Sequence, residues 1–371
     1  MRIGFDIGPI SKNRTGVGNY CFYLLKNLIA LDPSDQFIGF ASGRRRPELD
    51  ALSGKLPYRW LSCPTRLLYK SWTYLRRPRV DRMLGGVDLY HATNYFLPPT
   101  EKARRVVTIH DLAFLATPGL CSPSIVGPFS ANIRRFARDA DGVLVYSQST
   151  KNDVLRFLDV PAERVTVAPM AVDEDFVPMP RESAIAHLKT AYHIEGPFLL
   201  FVSTLEPRKN VPTLLRAFAR LTDLPHRLVM IGSIGWNSDP IFEAIRELGL
   251  EDRIIRPGFV PHLELPAFFC AANAFVFPTL YEGFGLPLLE ALTCGCPVVA
   301  SDNSSVPEVT GGAALTMDAM DIEGIADAVR RVISDTALRE SLVARGLEHA
   351  KRFSWPNCAA TTLDLYRKLT A

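Results

Sequence analysis

Short apolar runs alternate with helix-period segments along almost the whole chain. The runs predict strands at residues 2–6, 36–41, 87–90, 105–109, 142–146 and 165–167 in the first half, and at 198–202, 227–231, 254–258, 274–277 and 297–301 in the second. Between them, apolar side chains recur at the helical period, for example in residues 19–31, 211–221 and 263–271. Strands that alternate with helices form parallel sheets covered on both faces, so the pattern predicts an α/β fold.

The chain is long enough for two domains. Its 371 residues exceed the length at which one hydrophobic core usually stops growing. A Pro-rich interruption at 177–180 and the Gly196-Pro197 pair place the seam between residues 173 and 197. We predict one doubly wound parallel sheet in residues 1–175 and another in residues 176–353. A last helical segment begins near residue 354, so we expect residues 354–371 to pack back on the first domain.

The composition is typical of a globular enzyme from a reducing compartment. Apolar residues make up 47% and charged residues 22%, and no apolar run approaches the ~20 residues of a membrane span. The first residues resemble a strand rather than a signal peptide, and the seven cysteines are scattered among apolar residues. Cys294 and Cys296 have no second Cys or His pair at zinc spacing. We therefore expect a cytoplasmic protein without a metal site.

Residues 40–82 concentrate positive charge. They contain nine Arg and two Lys against three acidic residues, whereas the whole chain has a net charge of +3. Aromatic residues are interspersed among them, namely Trp60, Tyr69, Trp72 and Tyr74. The stretch is interpreted equally well as a face that binds anionic lipid headgroups at the inner side of the cytoplasmic membrane, or as a solvated face. Nucleic acid is not an expected partner, because no known nucleic-acid module is recognisable.

Residues that follow strands are the best site candidates, because ligands of doubly wound sheets bind outside the carboxyl ends of the strands. After the strand at 274–277 come Glu282, Gly283, Gly285, Pro287 and Glu290. Glycines let the backbone approach a ligand, and Pro287 fits the first turn of a helix. At the start of that helix, the backbone amides of Phe284, Gly285 and Leu286 would face an anion or sugar oxygens. The alternative is a capped helix with two solvated acids, although capping requires neither two glycines nor the second Glu.

A basic pair follows the strand at 198–202. Arg208 and Lys209 lie at a strand-to-helix junction. Arg grips two oxygens with its planar fork and Lys acts as a point charge, so the pair suits a diphosphate. Such a pair alone is more often part of an exposed loop. The interpretation as a diphosphate site is favoured here because the pair is expected at the same edge of the same sheet as Glu282.

These segments resemble the retaining glycosyltransferases of family 4, also called group 1, which have the GT-B fold. The run from Glu282 to Glu290 matches their E-x7-E motif, and residues 205–210 resemble their phosphate-binding turn. Residues 257–260 and 296–301 continue the similarity. The resemblance implies two Rossmann-like domains that face a central cleft, with a nucleoside diphosphate sugar held mainly by the second.

In the second domain, the resemblance assigns each candidate a role. Glu282 would contact the donor sugar and Glu290 the ribose. Arg208 and Lys209 would neutralise the diphosphate leaving group. The amides after Glu282 would complete the donor site, and no resident cofactor or metal is implied.

In the first domain, the resemblance supports three residues that are weak candidates by themselves. Gly16 and Gly18 follow the first strand and would face the donor phosphates, although a lone G-x-G often serves packing. His110 ends the strand at 105–109 and would orient the donor sugar, although a lone His is usually structural. Its neighbour Asp111 would either hold the imidazole or cap the following turn.

Two further segments follow strands of the first domain. Residues 90–94 are interpreted either as part of an acceptor pocket or as a plain loop. Ser147 is interpreted chiefly as a helix cap.

The resemblance implies transfer of a hexose, with retention of configuration, from a nucleoside diphosphate sugar to a saccharide or lipid-diphosphate-linked acceptor. The sequence as a whole most resembles bacterial mannosyltransferases of surface polysaccharide assembly. This resemblance favours GDP-mannose as the donor. Two alternatives remain: a nucleotide-sugar epimerase of the same fold, and a non-catalytic nucleotide-sugar-binding protein. A dehydrogenase is disfavoured because the third glycine of the dinucleotide fingerprint is missing.

Overall fold

The structure is a computed structural model that describes residues 1–10, 16–47, 49, 52, 56–258 and 260–371. Some residues used in the sequence analysis lie outside this part of the chain. They are Thr15 before the first glycine, Phe259, and the charged residues Glu48, Asp50 and Lys55 of the basic stretch.

The first half of the chain alternates strands with helices. Its strands are β1 (Arg2–Asp6), β2 (Gln36–Ser42), β3 (Tyr58–Leu61), β4 (Leu89–Ala92), β5 (Arg104–Thr108), β6 (Gly142–Val145) and β7 (Val165–Val167). Its helices are α1 (Gly16–Leu31), α2 (Thr65–Lys70), α3 (Val80–Met83), α4 (Ala113–Ala116), α5 (Pro123–Asp139) and α6 (Gln148–Leu158).

The second half repeats the alternation and then ends in helices. Its strands are β8 (Phe198–Val202), β9 (Arg227–Ile231), β10 (Ile254–Ile255), β11 (Ala274–Phe277), β12 (Val298–Ser301) and β13 (Ala314–Met317). Its helices are α7 (Arg181–Tyr192), α8 (Val211–Ala219), α9 (Asp239–Glu247), α10 (Leu265–Ala271), α11 (Leu286–Thr293), α12 (Val306–Thr310), α13 (Ile322–Ser334), α14 (Thr336–Ala350) and α15 (Trp355–Thr370).

The strands form two sheets in which all described pairs are parallel. The first sheet has the order β3-β2-β1-β4-β5-β6-β7 and the second the order β10-β9-β8-β11-β12-β13. In each, the chain moves outward on one side of its first strand and then returns to build the other side. The strand order therefore reverses between β1 and β4, and again between β8 and β11. The predicted class, two parallel α/β sheets, is confirmed.

Predicted strand limits agree with the structure for five strands, namely β1, β7, β8, β9 and β11, and differ by one or two residues for β2, β4, β5, β6 and β12. Every residue of β8 and β11 is buried. The edge strands β3 and β13 are partly exposed, so the apolar pattern does not reveal them. The strand predicted at 254–258 is wrong in length, because Pro257 has no N–H for the ladder and Gly258 has a φ of 80°.

The chain forms two compact units. Unit 1 comprises Met1–Ala116, Pro123–Ala171 and Ser354–Ala371, and unit 2 comprises Thr117–Ser122 and Val172–Phe353. The main change of unit therefore comes after residue 171, where the sequence argument has residue 175. Contacts of two side chains explain the difference. Asp173 pairs with His262, and the Phe176 ring packs against His262 and Phe269, so this segment belongs to unit 2.

The C-terminal helix α15 packs within unit 1. Its Trp355 ring stacks on Tyr23 of α1, with centroids 5.5 Å apart, and Cys358 contacts the Ala168 carbonyl through its thiol. The Tyr366 hydroxyl lies 2.5 Å from Nδ1 of His91 in β4. Within the part of the chain that the structure describes, no helix combines the length and apolar character needed to cross a bilayer.

Removing the Tyr366 hydroxyl should destabilise unit 1. His91 is fully buried, and its Nε2 already pairs with Thr108 Oγ1 at 2.7 Å, so Tyr366→Phe leaves Nδ1 without its partner. We expect the free energy of unfolding to fall by about 1–3 kcal/mol, measured by urea titration. Tyr74→Phe, at an exposed position, is the control. Equal effects of the two substitutions would contradict the role of this hydrogen bond.

Candidate active site

The predicted basic and acidic residues meet in unit 2 where the strand order reverses. The loop after β8 and the loop after β11 begin 75 residues apart in sequence, since the two strands end at Val202 and Phe277, but they leave neighbouring strands at the same sheet edge. The Leu280 amide donates to the Arg208 carbonyl at 2.9 Å, and Thr279 Oγ1 lies 3.1 Å from the same oxygen. Parallel pairing therefore brings the two predicted motifs together, as ligand sites of such sheets require.

A turn with a left-handed residue at its end holds the basic pair. Residues Pro207–Lys209 form a single 3-10 turn, and Asn210 follows with a φ of 57° before α8 begins. The Asn210 side-chain amide donates to the carbonyls of Pro278 and Ala319 at 3.0 and 2.7 Å. Asparagine tolerates this conformation better than most residues, and its two bonds fix the turn against the end of β11.

Glu282 is the centre of the ion network. Lys209 Nζ lies 2.5 Å from its Oε1, and Arg208 Nη1 lies 3.4 Å from its Oε2. The Thr279 hydroxyl donates to Oε1 at 2.8 Å. Arg208 also pairs with Glu206 at 3.0 Å. The sequence analysis did not assign Thr279 or Glu206 to the site.

Glu282 is ionised in this network. Burial alone would raise the pKa of its carboxyl, but the Lys209 ammonium and the Arg208 guanidinium outweigh burial and lower the pKa. The side chains of Lys209 and Glu282 are only 9% and 7% exposed, whereas that of Arg208 is 17% exposed. Arg208 is therefore the more accessible of the two cations to a ligand.

The glycine turn leads into α11 as predicted. Gly285 is the N-cap with a φ of 90°, and a β-carbon there would lie 2.9 Å from Leu288 Cδ1, so only glycine fits. Pro287 lies in the first turn. Two serines from the loop after β12 fix the turn from the other side. The Glu282 amide donates to Ser304 Oγ at 2.9 Å, and the Ser305 hydroxyl shares its one hydrogen between the Glu282 and Phe284 carbonyls, which lie 3.0 and 2.9 Å from its oxygen.

Glu290 lies inside α11 and has different surroundings from Glu282. It is buried, and burial raises the pKa of its carboxyl to about 7; His262 opposes this rise and Asp173 adds to it. His262 Nε2 lies 2.6 Å from Asp173 Oδ2. The sequence analysis missed the Asp173–His262 pair, because neither residue follows a predicted strand at a recognisable motif.

His110 lies in unit 1, just after β5. Its Nδ1 is hydrogen bonded to the Tyr146 hydroxyl, and the rings of Tyr20 and Tyr95 pack edge-on at 5.9 and 5.2 Å. Its Nε2 is buried and has no hydrogen-bond partner among the described residues. Burial lowers the pKa of His110 to about 4, although Asp111 opposes the shift, so the imidazole is neutral at pH 7. A hydroxyl that donates to Nδ1 leaves the hydrogen on Nε2.

Other predictions in unit 1 have mixed outcomes. Gly16 and Gly18 lie in the first turn of α1, whereas the sequence analysis places them before the helix. The helix begins three residues earlier than the apolar period indicates. Asp111 caps the turn that follows, accepting from the Ala113 amide at 3.0 Å, and Ser147 caps α6. His91 is fully buried between Thr108 and Tyr366, so it is structural and not part of an acceptor pocket. The contacts predicted between the donor and Gly16, Gly18 or His110 stay predictions.

Within the described residues, no group of three or more His, Cys, Asp and Glu side chains is arranged to hold a metal ion. The site instead combines two cations with buried carboxylates. Such a set can bind a polyanion through Arg208 and Lys209 and accept hydrogen bonds from hydroxyl groups through the two glutamates.

Removing the Glu282 carboxylate should destabilise unit 2 as well as alter the site. Glu282→Ala leaves the Lys209 ammonium buried without its counter-ion, which typically costs about 3–5 kcal/mol. We expect a lower urea midpoint for the variant, measured by tryptophan fluorescence and circular dichroism. The double variant Glu282→Ala/Lys209→Met should recover most of the loss, because it removes both charges. A double variant no more stable than Glu282→Ala would contradict the ion pair as the cause.

Two family models and a full-length relative match the chain. The model of Glycosyltransferase Family 4 matches residues 14–176, and that of Glycosyl transferases group 1 matches residues 189–349. The O-antigen chain mannosyltransferase B of Escherichia coli is 31% identical over 382 residues, which span 100% of both chains.

Two solved structures have the same fold. Sucrose-phosphate synthase from Thermosynechococcus elongatus has a TM-score of 0.80 at 22% identity, covering 100% of this chain and 99% of that one. Anabaena Alr3699/HepE, in complex with UDP-glucose, has a TM-score of 0.73 at 19% identity, covering 98% and 99%. These two structures show that the fold is GT-B. The matched family models and the full-length relative show that the chain belongs to the family 4, or group 1, glycosyltransferases.

Proposed function

We propose that this glycosyltransferase moves mannose from GDP-mannose to a saccharide or lipid-diphosphate-linked acceptor in O-antigen assembly, with retention of the anomeric configuration. One observation carries the proposal: Arg208, Lys209 and Glu282 converge at the reversal point of the second sheet. The choice of mannose rests on the relative from Escherichia coli, which is named an O-antigen chain mannosyltransferase. Binding of a nucleotide sugar is supported by the UDP-glucose complex of Anabaena Alr3699/HepE.

In the proposed reaction, negative charge accumulates on the diphosphate as its bond to the sugar breaks. Arg208 forms a bidentate contact with phosphate oxygens, and Lys209 adds a point charge beside it. Stabilisation of such developing charge by one donor is worth about 3–4 kcal/mol. The two cations would do the work of a metal, so the reaction is proposed to be metal-independent. No carboxylate nucleophile is needed if the departing phosphate oxygen assists deprotonation of the acceptor.

The two glutamates are proposed to hold opposite ends of the donor. Glu282 accepts from hexose hydroxyls, and its position is fixed by Lys209 and Thr279. Glu290 accepts from the vicinal hydroxyls of the ribose. In unit 1, neutral His110 is proposed to orient the donor sugar through Nε2, with Tyr146 holding its other ring nitrogen.

Peripheral binding to an anionic membrane is proposed for part of the basic stretch. Leu67, Tyr74 and Leu75 are 58%, 80% and 72% exposed, and exposed cations flank them at Arg66 and Arg76. Each basic residue near an anionic surface contributes about 1 kcal/mol. Not all aromatic residues of the stretch contribute, because the Trp72 ring is buried. Such binding would bring the enzyme to a lipid-linked acceptor.

Arg208→Ala should lower mannosyl transfer from GDP-mannose at least a hundredfold, because the leaving diphosphate loses its bidentate partner. The measurement is transfer of radiolabelled mannose to mannan-type oligosaccharides, with the anomeric configuration of the product read by NMR. Arg216→Ala, an exposed position on α8, is the matched control and should keep full activity. Near-normal turnover of Arg208→Ala would remove this residue from the site.

Further arms of the same assay separate the alternatives. EDTA should leave transfer unchanged; abolition that Mn²⁺ restores would overturn metal independence. Conversion of the donor sugar without acceptor would favour an epimerase. Tight donor binding without any product would favour a non-catalytic binding protein.

Affinity for GDP-mannose should fall as the pH falls below 7. The ribose hydroxyls donate to the ionised Glu290, and a carboxyl with a pKa of about 7 is mostly ionised at pH 8 and mostly protonated at pH 6. The dissociation constant should therefore rise about tenfold from pH 8 to pH 6, measured by calorimetry. In Glu290→Gln the constant should be weak at both pH values and nearly independent of pH. An unchanged pH dependence in that variant would contradict the assignment.

A further inference from the structure

The first sheet has a reversal point of its own, between β1 and β4. Asp6 is the last residue of β1, and Asn94 follows β4 by two residues. A cavity of about 170 Å³ opens beside them and is lined by Asp6, Ser42, Thr65, Tyr69, Trp72 and Phe96. At ~30 Å³ per water, this is room for about six waters, a volume suited to one monosaccharide ring. The sequence analysis assigned Asp6 no role.

One wall of the cavity is a stack of aromatic rings. Tyr69 and Phe96 are stacked with centroids 4.0 Å apart and planes inclined by 10°. Trp72 lies beside Tyr69 at 5.9 Å, and its indole nitrogen donates to the Pro78 carbonyl at 2.9 Å. Because the two rings cover one face of each other, only their outer faces and edges are available to a ligand. Such an immobilised aromatic wall suits the apolar face that a pyranose ring presents through its C–H bonds.

The polar side of the cavity is a carboxylate. Asp6 Oδ1 accepts from the Gly8 amide at 2.9 Å, and Thr93 Oγ1 donates to the Asp6 carbonyl at 3.0 Å, so the end of β1 is fixed. Burial raises the pKa of Asp6 to about 6, while the Gly8 and Thr93 hydrogen bonds oppose the rise, so the group is mainly ionised at neutral pH.

The charge of the cavity limits what it can bind. No Lys, Arg or His is among the described residues that line it. Within this described lining, a phosphate or diphosphate would meet the Asp6 carboxylate without a counter-ion, which is unfavourable. Hydroxyl groups, in contrast, donate to a carboxylate, and two adjacent hydroxyls match its two oxygens.

We propose that this cavity binds one neutral hexopyranose ring of the acceptor saccharide, with Asp6 accepting from its hydroxyls and the Tyr69–Phe96 stack packing on its face. The inference rests on the proposed function, because it identifies the ligand as the acceptor. It adds a ligand class and an anchoring residue. In this proposal, the diphosphate of a lipid-linked acceptor would lie outside this cavity.

Saturation-transfer NMR with the full chain tests the proposal without requiring any transfer. The probes are mannotriose and the methyl glycosides of mannose, glucose and galactose, with excess GDP present. We expect at least one probe to bind. Its affinity should fall at least tenfold in Asp6→Asn, which keeps the side-chain shape, and in Tyr69→Ala. Tyr74→Ala, an exposed tyrosine of the same segment, is the matched control and should bind like the unsubstituted chain.

Binding must also be unchanged in Glu282→Gln, which excludes the sugar pocket of the donor site as its source. Absence of binding by every probe, or equal binding by the chain with and without Asp6→Asn, would overturn the proposal. If Asp6→Asn does not fold, the Tyr69→Ala and Tyr74→Ala pair decides alone. Absence of mannosyl transfer would instead contradict the proposed function and leave this binding result standing.

Discussion

The buried ion pair between Lys209 and Glu282 is the interaction on which the second unit's site depends. It joins the loop after β8 to the loop after β11, and Thr279 and Arg208 complete the same network. A charge buried without its partner would be costly, so each member requires the other. The site is therefore assembled by folding and does not await a ligand. Arg208 is the more exposed of the two cations in this network.

The two sheets have related topologies but chemically different reversal points. At the second sheet, two cations and two carboxylates form a network of ion pairs around Glu282. In the first, Asp6 contributes a single carboxylate beside stacked aromatic rings, and no cation is found among the described lining residues. The same topology thus positions a cation-rich set of side chains in one unit and a carboxylate beside aromatic rings in the other. The difference comes from a few side chains at the strand ends, because the central strands are largely apolar and buried in both sheets.

Central strands and local motifs could be predicted because their signal is contained in a few consecutive residues. The apolar run of β8 and the glycine turn before α11 are examples, and Gly285 adopts the positive φ expected of it. Edge strands β3 and β13 escaped prediction because water covers part of their surface and weakens the apolar pattern. The start of α1 was placed late because its first turn contains two glycines, which carry no periodic apolar signal.

The sequence alone determined the α/β class, the alternation of the central strands with helices, and which residues follow strands with the chemistry of a donor site. Tertiary structure alone decided which of them meet. His91 lies in β4 and is enclosed between Thr108 and Tyr366. His110 comes just after β5, and its Nε2 has no hydrogen-bond partner among the described residues. Folding likewise joins Asp173 to His262, which is 89 residues further along the chain. It also brings Ser304 and Ser305 to the glycine turn, 21 to 22 residues before them. The physical reason is that spacing along the chain controls the faces of one helix or strand, whereas strand order in space controls which loops share an edge.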